Sequence, residues 1–322
     1  MMDAIIVLIA GMFLLIKGAN LFVEGSSKIA RMLKIPSLII GLTLVSMGTS
    51  APEASVSIIA SLSGNTDLSV ANVVGSNIFN TLFILGISAA IIPLIISKDM
   101  KRYDIPIMIG TYIVLILFGF VISPLRIQRW EGILLLVSFI SYMVFLLVRT
   151  IKENKNKVNE VEEEEVKEKV TAKVVIKNIL FVILGLAAII FGGRLVVNKA
   201  TYIATTLGMS ETLVGLTIVA VGTSLPELVT SVVASLKKEN EIAIGNVVGS
   251  NIFNIIFILG LSSTIRELPL LFNPDMIDML VMLVSGLVIM LSSFIFKKFH
   301  RVNGILIFIM YVCYLTYIII RN

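Results

Sequence analysis

Residues 72–88 read NVVGSNIFNTLFILGIS and residues 246–262 read NVVGSNIFNIIFILGLS, seventeen positions that differ only at Thr81/Ile255, Leu82/Ile256 and Ile87/Leu261. A second shared block precedes each copy: GTSAPE at Gly48–Glu53 and GTSLPE at Gly222–Glu227. Both pairs of blocks lie 174 positions apart, so one half of the chain maps onto the other with no gap between them. Each copy also sets a carboxylate inside an apolar stretch. A duplication of this form is the pattern of membrane transport folds built from two repeats, with a site where the repeats meet.

Composition points the same way. With 57% hydrophobic residues, 15% charged residues and a mean hydropathy of +1.01 over 322 residues, the chain carries more apolar surface than one water-soluble core can bury. Apolar segments of the length that crosses ~30 Å of hydrocarbon are read at about 4–23, 37–62, 69–96, 104–123, 129–149, 174–197, 212–235, 242–265, 277–296 and 304–320. The expected fold is therefore an all-α integral membrane protein of ten transmembrane helices, arranged as two inverted-topology five-helix repeats with broken helices at the site. The repeats are assigned to 1–150 and 174–322, joined by a charged linker at 151–173. The first segment lacks a basic stretch before it and corresponds to the internal segment 174–197, so it is read as a span and not as a cleaved signal. The single cysteine, Cys313, is read as a packing residue.

Five spans per repeat require the second half to enter the membrane upside down, and the charges agree. With an external N-terminus, the cytoplasmic side holds Lys28, Arg31 and Lys34, then Lys98, Lys101 and Arg102, the run from Arg149 to Lys177, Lys237 and Lys238, and Lys297, Lys298 and Arg301. The external side keeps Arg126, Arg129, Arg194, Lys199, Arg266 and Arg321, with Lys17 inside a span. This is a positive-inside distribution. Equivalent loops carry charge in whichever repeat places them inside: Lys28, Arg31 and Lys34 correspond to Tyr202, Thr205 and Gly208, while Ser63 and Gly64 correspond to Lys237 and Lys238. The net charge of +5 follows from that topology and does not imply nucleic acid as a partner. The linker KENKNKVNEVEEEEVKEKVTAK at 152–173 is placed in the cytoplasm, and its Glu162–Glu165 run is read as a solvated face in preference to a Ca²⁺ sensor.

The chemistry concentrates in the GTSxPE blocks. Among 21 acidic residues only Glu53 and Glu227 fall near the middle of apolar spans, where an ionised side chain costs several kcal/mol unless it faces a cavity or a cation. Pro52 and Pro226 precede them; each lacks an N–H and clashes with the carbonyl four residues back, which predicts a helix break freeing carbonyls around Gly48, Thr49, Gly222 and Thr223. The hydroxyls of Thr49, Ser50, Thr223 and Ser224 add oxygens. GSNIFN places Ser76 and Asn80 on one helix face, and Ser250 and Asn254 repeat the pair. With no Cys or His nearby, an all-oxygen shell selects hard cations such as Ca²⁺ or Na⁺ over zinc or copper. Two carboxylates balance one Ca²⁺, and Na⁺ of similar size competes for the same ligands. The remaining polar residues are assigned ordinary places: His300 in a basic surface turn, Asp67, Asp99, Asp104, Glu211 and Glu241 at solvated span ends, and Glu24 at a helix end.

The pair GTSAPE with GSNIFN and GTSLPE with GSNIFN makes the chain resemble the cation/calcium exchanger superfamily, specifically the compact prokaryotic form of the sodium/calcium exchanger family, over essentially everything outside 152–173. The resemblance implies ten helices with an external N-terminus and an ion-binding core from the second and third helices of each repeat. Carried over by motif position, Glu53 and Glu227 with the carbonyls of Thr49 and Thr223 would hold Ca²⁺. Ser50, Ser76, Ser224 and Ser250, with the carbonyls of Ser46 and Ala220, would contribute to flanking Na⁺ sites. Asn80 and Asn254 would complete the centre. The position of Asn254 is Asp in K⁺-dependent relatives, so K⁺ independence is expected. The implied activity is electrogenic exchange of three Na⁺ for one Ca²⁺ by alternating access, with the first and sixth spans sliding against a rigid core. No covalent chemistry and no cofactor are expected; the partners are the bilayer and the two transported ions, with no obligatory protein partner. A proton/Ca²⁺ exchanger using the same glutamates, a cation channel and a non-transporting scaffold are the competing readings.

Overall fold

The computed structural model describes residues 2–158, 172–208, 220–273, 275–296 and 298–321. Glu162–Glu165, Glu211 and the start of the segment expected at 212–235 lie outside the described residues. Among the described residues twelve helical elements follow one another: α1 (Met2–Met32), α2 (Ser37–Thr49), α3 (Ala51–Ser63), α4 (Thr66–Ile91), α5 (Met100–Ile122), α6 (Arg129–Val158), α7 (Ala172–Thr206), α8 (Ala220–Thr223), α9 (Leu225–Leu236), α10 (Asn240–Ile265), α11 (Asp275–Ile295) and α12 (Arg301–Arg321). Among the described residues α1, α4, α5, α6, α7, α10, α11 and α12 are long and apolar enough to cross a membrane. Helices suit such sequences because each backbone N–H and C=O finds its partner within the segment, where lipid offers none.

Burial ranks these helices. The most apolar 18-residue window is 94% buried in α10 and 72% in α4, against 22–28% in α1, α6, α7 and α12. The two helices carrying the seventeen-residue blocks therefore form the centre, and the outer ones present their flanks outward. Hydropathy alone does not separate these roles, because lipid and protein interior are equally apolar to a side chain.

Small residues set how closely the outer pair packs. Along α1, Gly11, Gly18 and Gly25 meet Gly192, Gly185 and Asn178 of α7 in descending order, so the two helices run antiparallel. A Cβ on Gly18 would stand 2.8 Å from the Gly185 carbonyl oxygen, and one on Gly185 would stand 2.6 Å from the Phe22 nitrogen. Only glycine permits that approach.

Contacts between the halves are exchanged reciprocally. Gly86 of α4 abuts Gly304 of α12, and Gly260 of α10, its equivalent at the 174-residue offset, abuts Gly132 of α6. The short strands do likewise: β1 (Leu94–Ile95) pairs antiparallel with β4 (Lys298–Phe299), and β2 (Arg126–Ile127) with β3 (Leu268–Pro269). Each pairing ties a turn of the first half to one of the second.

Two expectations need correction. Asp104 is not solvated: it is fully buried, and Arg149 Nη1 donates to its two oxygens at 3.1 and 3.0 Å, with Asp99 3.4 Å from the same guanidinium. A buried carboxylate is tolerable when paired in this way, and Arg321 with Asp278 repeats the arrangement at 3.0 and 3.1 Å. Cys313 does not pack inward but is exposed on the outer face of α12, where a small apolar residue meets lipid without cost. Asp67, Asp99, Glu241 and His300 are exposed as expected, and Glu24 pairs with Lys28 at 2.8 Å.

Candidate cation site

The GTSxPE blocks interrupt their helices at one residue each. Ser50 (φ −79°, ψ 8°) separates α2 from α3, and Ser224 (φ −89°, ψ 8°) separates α8 from α9. Pro52 and Pro226 sit in the first turn of the following helix, where a missing N–H is harmless. The interruption is narrower than the proline rule suggests: the Ser50 N–H still bonds the Ser46 carbonyl at 2.9 Å, and the Ala54 N–H still reaches the Ser50 carbonyl at 3.0 Å. The residue at the break is the serine, whose hydroxyl is thereby turned toward the other half of the protein.

There the two halves cross. Ser50 Oγ donates to Glu227 Oε1 at 2.8 Å, and Ser224 Oγ donates to Glu53 Oε1 at 2.9 Å, with the Ser76 hydroxyl in hydrogen-bond contact with Ser224 Oγ at 3.1 Å. Both glutamates are wholly buried. Each carboxylate is thus held by the serine of the opposite block, an arrangement the linear sequence does not reveal.

A second set of crossed bonds lies in α4 and α10. Both helices widen into π-helical turns, at Phe79–Ile84 and Asn254–Leu259, where Asn80 and Asn254 stand; such turns recur at functional positions. Asn80 Nδ2 donates to Asn251 Oδ1 at 3.1 Å, and Asn254 Nδ2 donates to Asn77 Oδ1 at 2.9 Å. The Phe79–Ile84 turn packs against α9, which carries Glu227, and the Asn254–Leu259 turn packs against α3, which carries Glu53.

Four buried oxygens in this region have no hydrogen-bond partner: Glu53 Oε2, Glu227 Oε2, Asn80 Oδ1 and Asn254 Oδ1. Leaving one such acceptor unmatched costs about 1–3 kcal/mol, more when it is charged. Four together, related in pairs by the 174-residue offset, form an all-acceptor set of the kind that suits a desolvated cation. Among the described residues no group of three or more His, Cys, Asp or Glu side chains is placed to hold a metal ion.

The other expected residues gather nearby with differing engagement. Ser250 Oγ donates to the Ser46 carbonyl at 3.4 Å, and Thr49 Oγ1 reaches the same carbonyl at 3.3 Å. Thr49 Oγ1 also donates to Asn246 Oδ1 at 3.0 Å. Thr223 and Ala220 lie in α8, immediately before the second break.

The sequence reading passed over four asparagines and two serines. Asn72 Nδ2 donates to the Glu53 carbonyl at 3.2 Å and to Ser57 Oγ at 2.9 Å, and Asn246 Nδ2 repeats this with the Glu227 carbonyl at 3.3 Å and Ser231 Oγ at 2.9 Å. Asn77 and Asn251 orient the other two asparagines. All four asparagines fall inside the duplicated seventeen-residue block, and that recurrence was the available signal.

A cavity of about 510 Å³ reaches the break from one end, running from Pro52, Thr223 and Pro226 past Arg194 to Ser63 and Asn65. Toward the opposite end α1 is latched to the α9–α10 turn. Lys237 Nζ donates to the Asn20 carbonyl at 2.9 Å, Ser27 Oγ donates to Glu239, and Arg31 lies 3.9 Å from Glu239.

Comparison with known proteins bears on this geometry. Residues 4–148 and 177–320 match the family described as sodium/calcium exchanger protein. The sodium/calcium exchanger MaX1 of Methanosarcina acetivorans is 32% identical over 345 aligned positions, covering 97% of each chain. The inner membrane protein YrbG of Escherichia coli is 37% identical, covering 92% of this chain and 88% of its own. Among solved structures, the sodium-calcium exchanger NCX_Mj soaked with zero Na⁺ and Ca²⁺ superimposes with a TM-score of 0.83 at 29% identity, over 98% of both chains.

Proposed function

Because the chain belongs to the sodium/calcium exchanger family, we propose that it is a secondary active antiporter exchanging Na⁺ for Ca²⁺, three for one and without K⁺, by alternating access. The observation that carries this reading is the set of four buried, unpartnered oxygens on Glu53, Glu227, Asn80 and Asn254. A fixed charge of minus two suits one Ca²⁺ or a group of Na⁺ ions, and an empty, doubly anionic site resists closing. Obligatory exchange follows from that penalty. The carbonyls of Thr49 and Thr223 join the Ca²⁺ shell. Ser50, Ser76, Ser224 and Ser250, with the carbonyls of Ser46 and Ala220, hold flanking Na⁺.

In this reading α2–α3 and α8–α9 each count as one broken span, which with the eight continuous helices makes ten, five per half and inverted. The N-terminus is external and the 151–173 linker cytoplasmic. The cavity beside Asn65 and Arg194 then opens outward, and the contacts of Lys237 and Glu239 with α1 close the cytoplasmic end. The antiparallel pair α1 and α7, joined along its glycines, is the element that slides.

The test is Ca²⁺ uptake into proteoliposomes loaded with Na⁺ and diluted into medium free of Na⁺ and K⁺. Uptake that requires internal Na⁺ and responds to membrane potential is expected. Uptake that follows an imposed pH gradient with no Na⁺ on either side would instead make Glu53 and Glu227 proton carriers.

A further inference from the structure

A carboxamide can offer a cation its oxygen or its NH₂, and only the oxygen binds it. Which one is offered at Asn80 and Asn254 is decided by what the rest of each side chain must bond. A main-chain carbonyl can only accept, and the Asn251 carbonyl receives Asn77 Nδ2 at 3.1 Å. Asn77 Oδ1 is thereby turned to Asn254, whose Nδ2 it accepts at 2.9 Å, leaving Asn254 Oδ1 buried and unmatched. On the other side Asn251 Nδ2 donates to Thr81 Oγ1 at 2.7 Å and to Met108 Sδ at 3.7 Å; a hydroxyl could also donate, but the thioether can only accept, so the NH₂ belongs on that side. Asn251 Oδ1 then accepts Asn80 Nδ2 at 3.1 Å, and Asn80 Oδ1 is the atom left over. Turning either carboxamide over would set oxygen against oxygen in a site closed to water, since Asn77, Asn251 and Asn254 are fully buried and Asn80 nearly so.

We propose that Asn77 and Asn251 are positioning residues that fix the carboxamides of Asn80 and Asn254 so that both present oxygen to the transported cation. This rests on the reading that those oxygens, with Glu53 and Glu227, hold the cation. The two arms are anchored differently. Asn77 hangs on a main-chain carbonyl, whereas Asn251 is held by the weakly accepting Met108 thioether and by the hydroxyl of Thr81, whose counterpart at the 174-residue offset is Ile255. Thr81→Val therefore loosens the Asn80 arm alone.

The experiment compares parent, Thr81→Val and Asn251→Leu for the Ca²⁺ concentration giving half-maximal uptake in proteoliposomes. It also follows Ca²⁺-induced thermal stabilisation of the purified protein. Thr81→Val is expected to raise the half-saturating Ca²⁺ concentration by about three- to tenfold, the worth of one neutral hydrogen bond, with the maximal rate near the parent value and the ion-free melting temperature somewhat lower, because the buried Asn251 NH₂ loses its 2.7 Å partner. Asn251→Leu should lose more. In an Asn80→Asp background the affinity loss from Thr81→Val should shrink, because either carboxylate oxygen can face the cation whichever way the group is turned. Parental affinity in both variants, or the same fold loss in the Asn80→Asp background, would overturn the proposal. Glu53→Gln separates the two levels. If it also transports normally the cation site itself is misplaced, whereas its failure beside an unaffected Thr81→Val rejects the positioning role alone.

Discussion

Replacing Glu53 by glutamine tests the site with little disturbance of its surroundings. Glu53 Oε1 accepts from Ser224 Oγ at 2.9 Å, a bond that the glutamine oxygen can keep, while Oε2 has no protein partner. The change is thus confined to one atom: an unpaired oxygen becomes an NH₂ group of nearly the same size. A carboxylate about 2.4 Å from Ca²⁺ attracts it by roughly 14 kcal/mol at an effective dielectric constant of about 20. Most of that gain only repays the cost of burying the charge, and breaking a buried ionic pair by removing one partner leaves a net loss of about 3–5 kcal/mol. At about 1.4 kcal/mol per decade, Ca²⁺ affinity should fall by roughly two to three and a half orders of magnitude. The assay is calorimetric titration of Ca²⁺ into detergent-purified parent and variant, alongside Na⁺-driven uptake in proteoliposomes and melting of the ion-free proteins. The ion-free variant should melt no lower than the parent, since it buries one charge fewer. Ca²⁺ affinity within tenfold of parental would refute the assignment of Glu53 Oε2 as a cation ligand.

Gly185→Leu should separate α1 from α7, because its Cβ would meet the Phe22 nitrogen at 2.6 Å and Cα at 2.9 Å, backbone atoms that no rotamer avoids. A loss of about 1–3 kcal/mol and impaired uptake are expected by thermal melting and flux, whereas Gly110→Ala, with nothing within 4 Å, should be silent. Arg149→Met strands the buried Asp104 carboxylate and should destabilise by about 3–5 kcal/mol in chemical denaturation, with Asp104→Asn in the same chain restoring part of the loss. Asn254→Asp adds a third carboxylate and should leave the fold intact while altering ion dependence. Ca²⁺ uptake with and without K⁺ measures this, and unchanged dependence would count against Asn254 lying in the site.

The sequence by itself determined that this is a multi-pass membrane protein, that it is duplicated, and where its chemistry concentrates. Each of those facts is carried by local signals: apolar runs, recurrence at 174 residues, and two carboxylates where none should be affordable. Tertiary structure decided how the signals combine. That Ser50 serves Glu227 and not the glutamate three residues away, and that Asn254 is held by Asn77, are contacts between chain segments 177 residues apart, created only when the two halves cross. Burial of Asp104 and exposure of Cys313 escaped the sequence for a related reason. In an apolar solvent the hydrophobic pattern no longer marks which side of a helix is inside, so only the packing assigns it: Asp104 lies against Arg149, and Cys313 lies on the exposed face of α12.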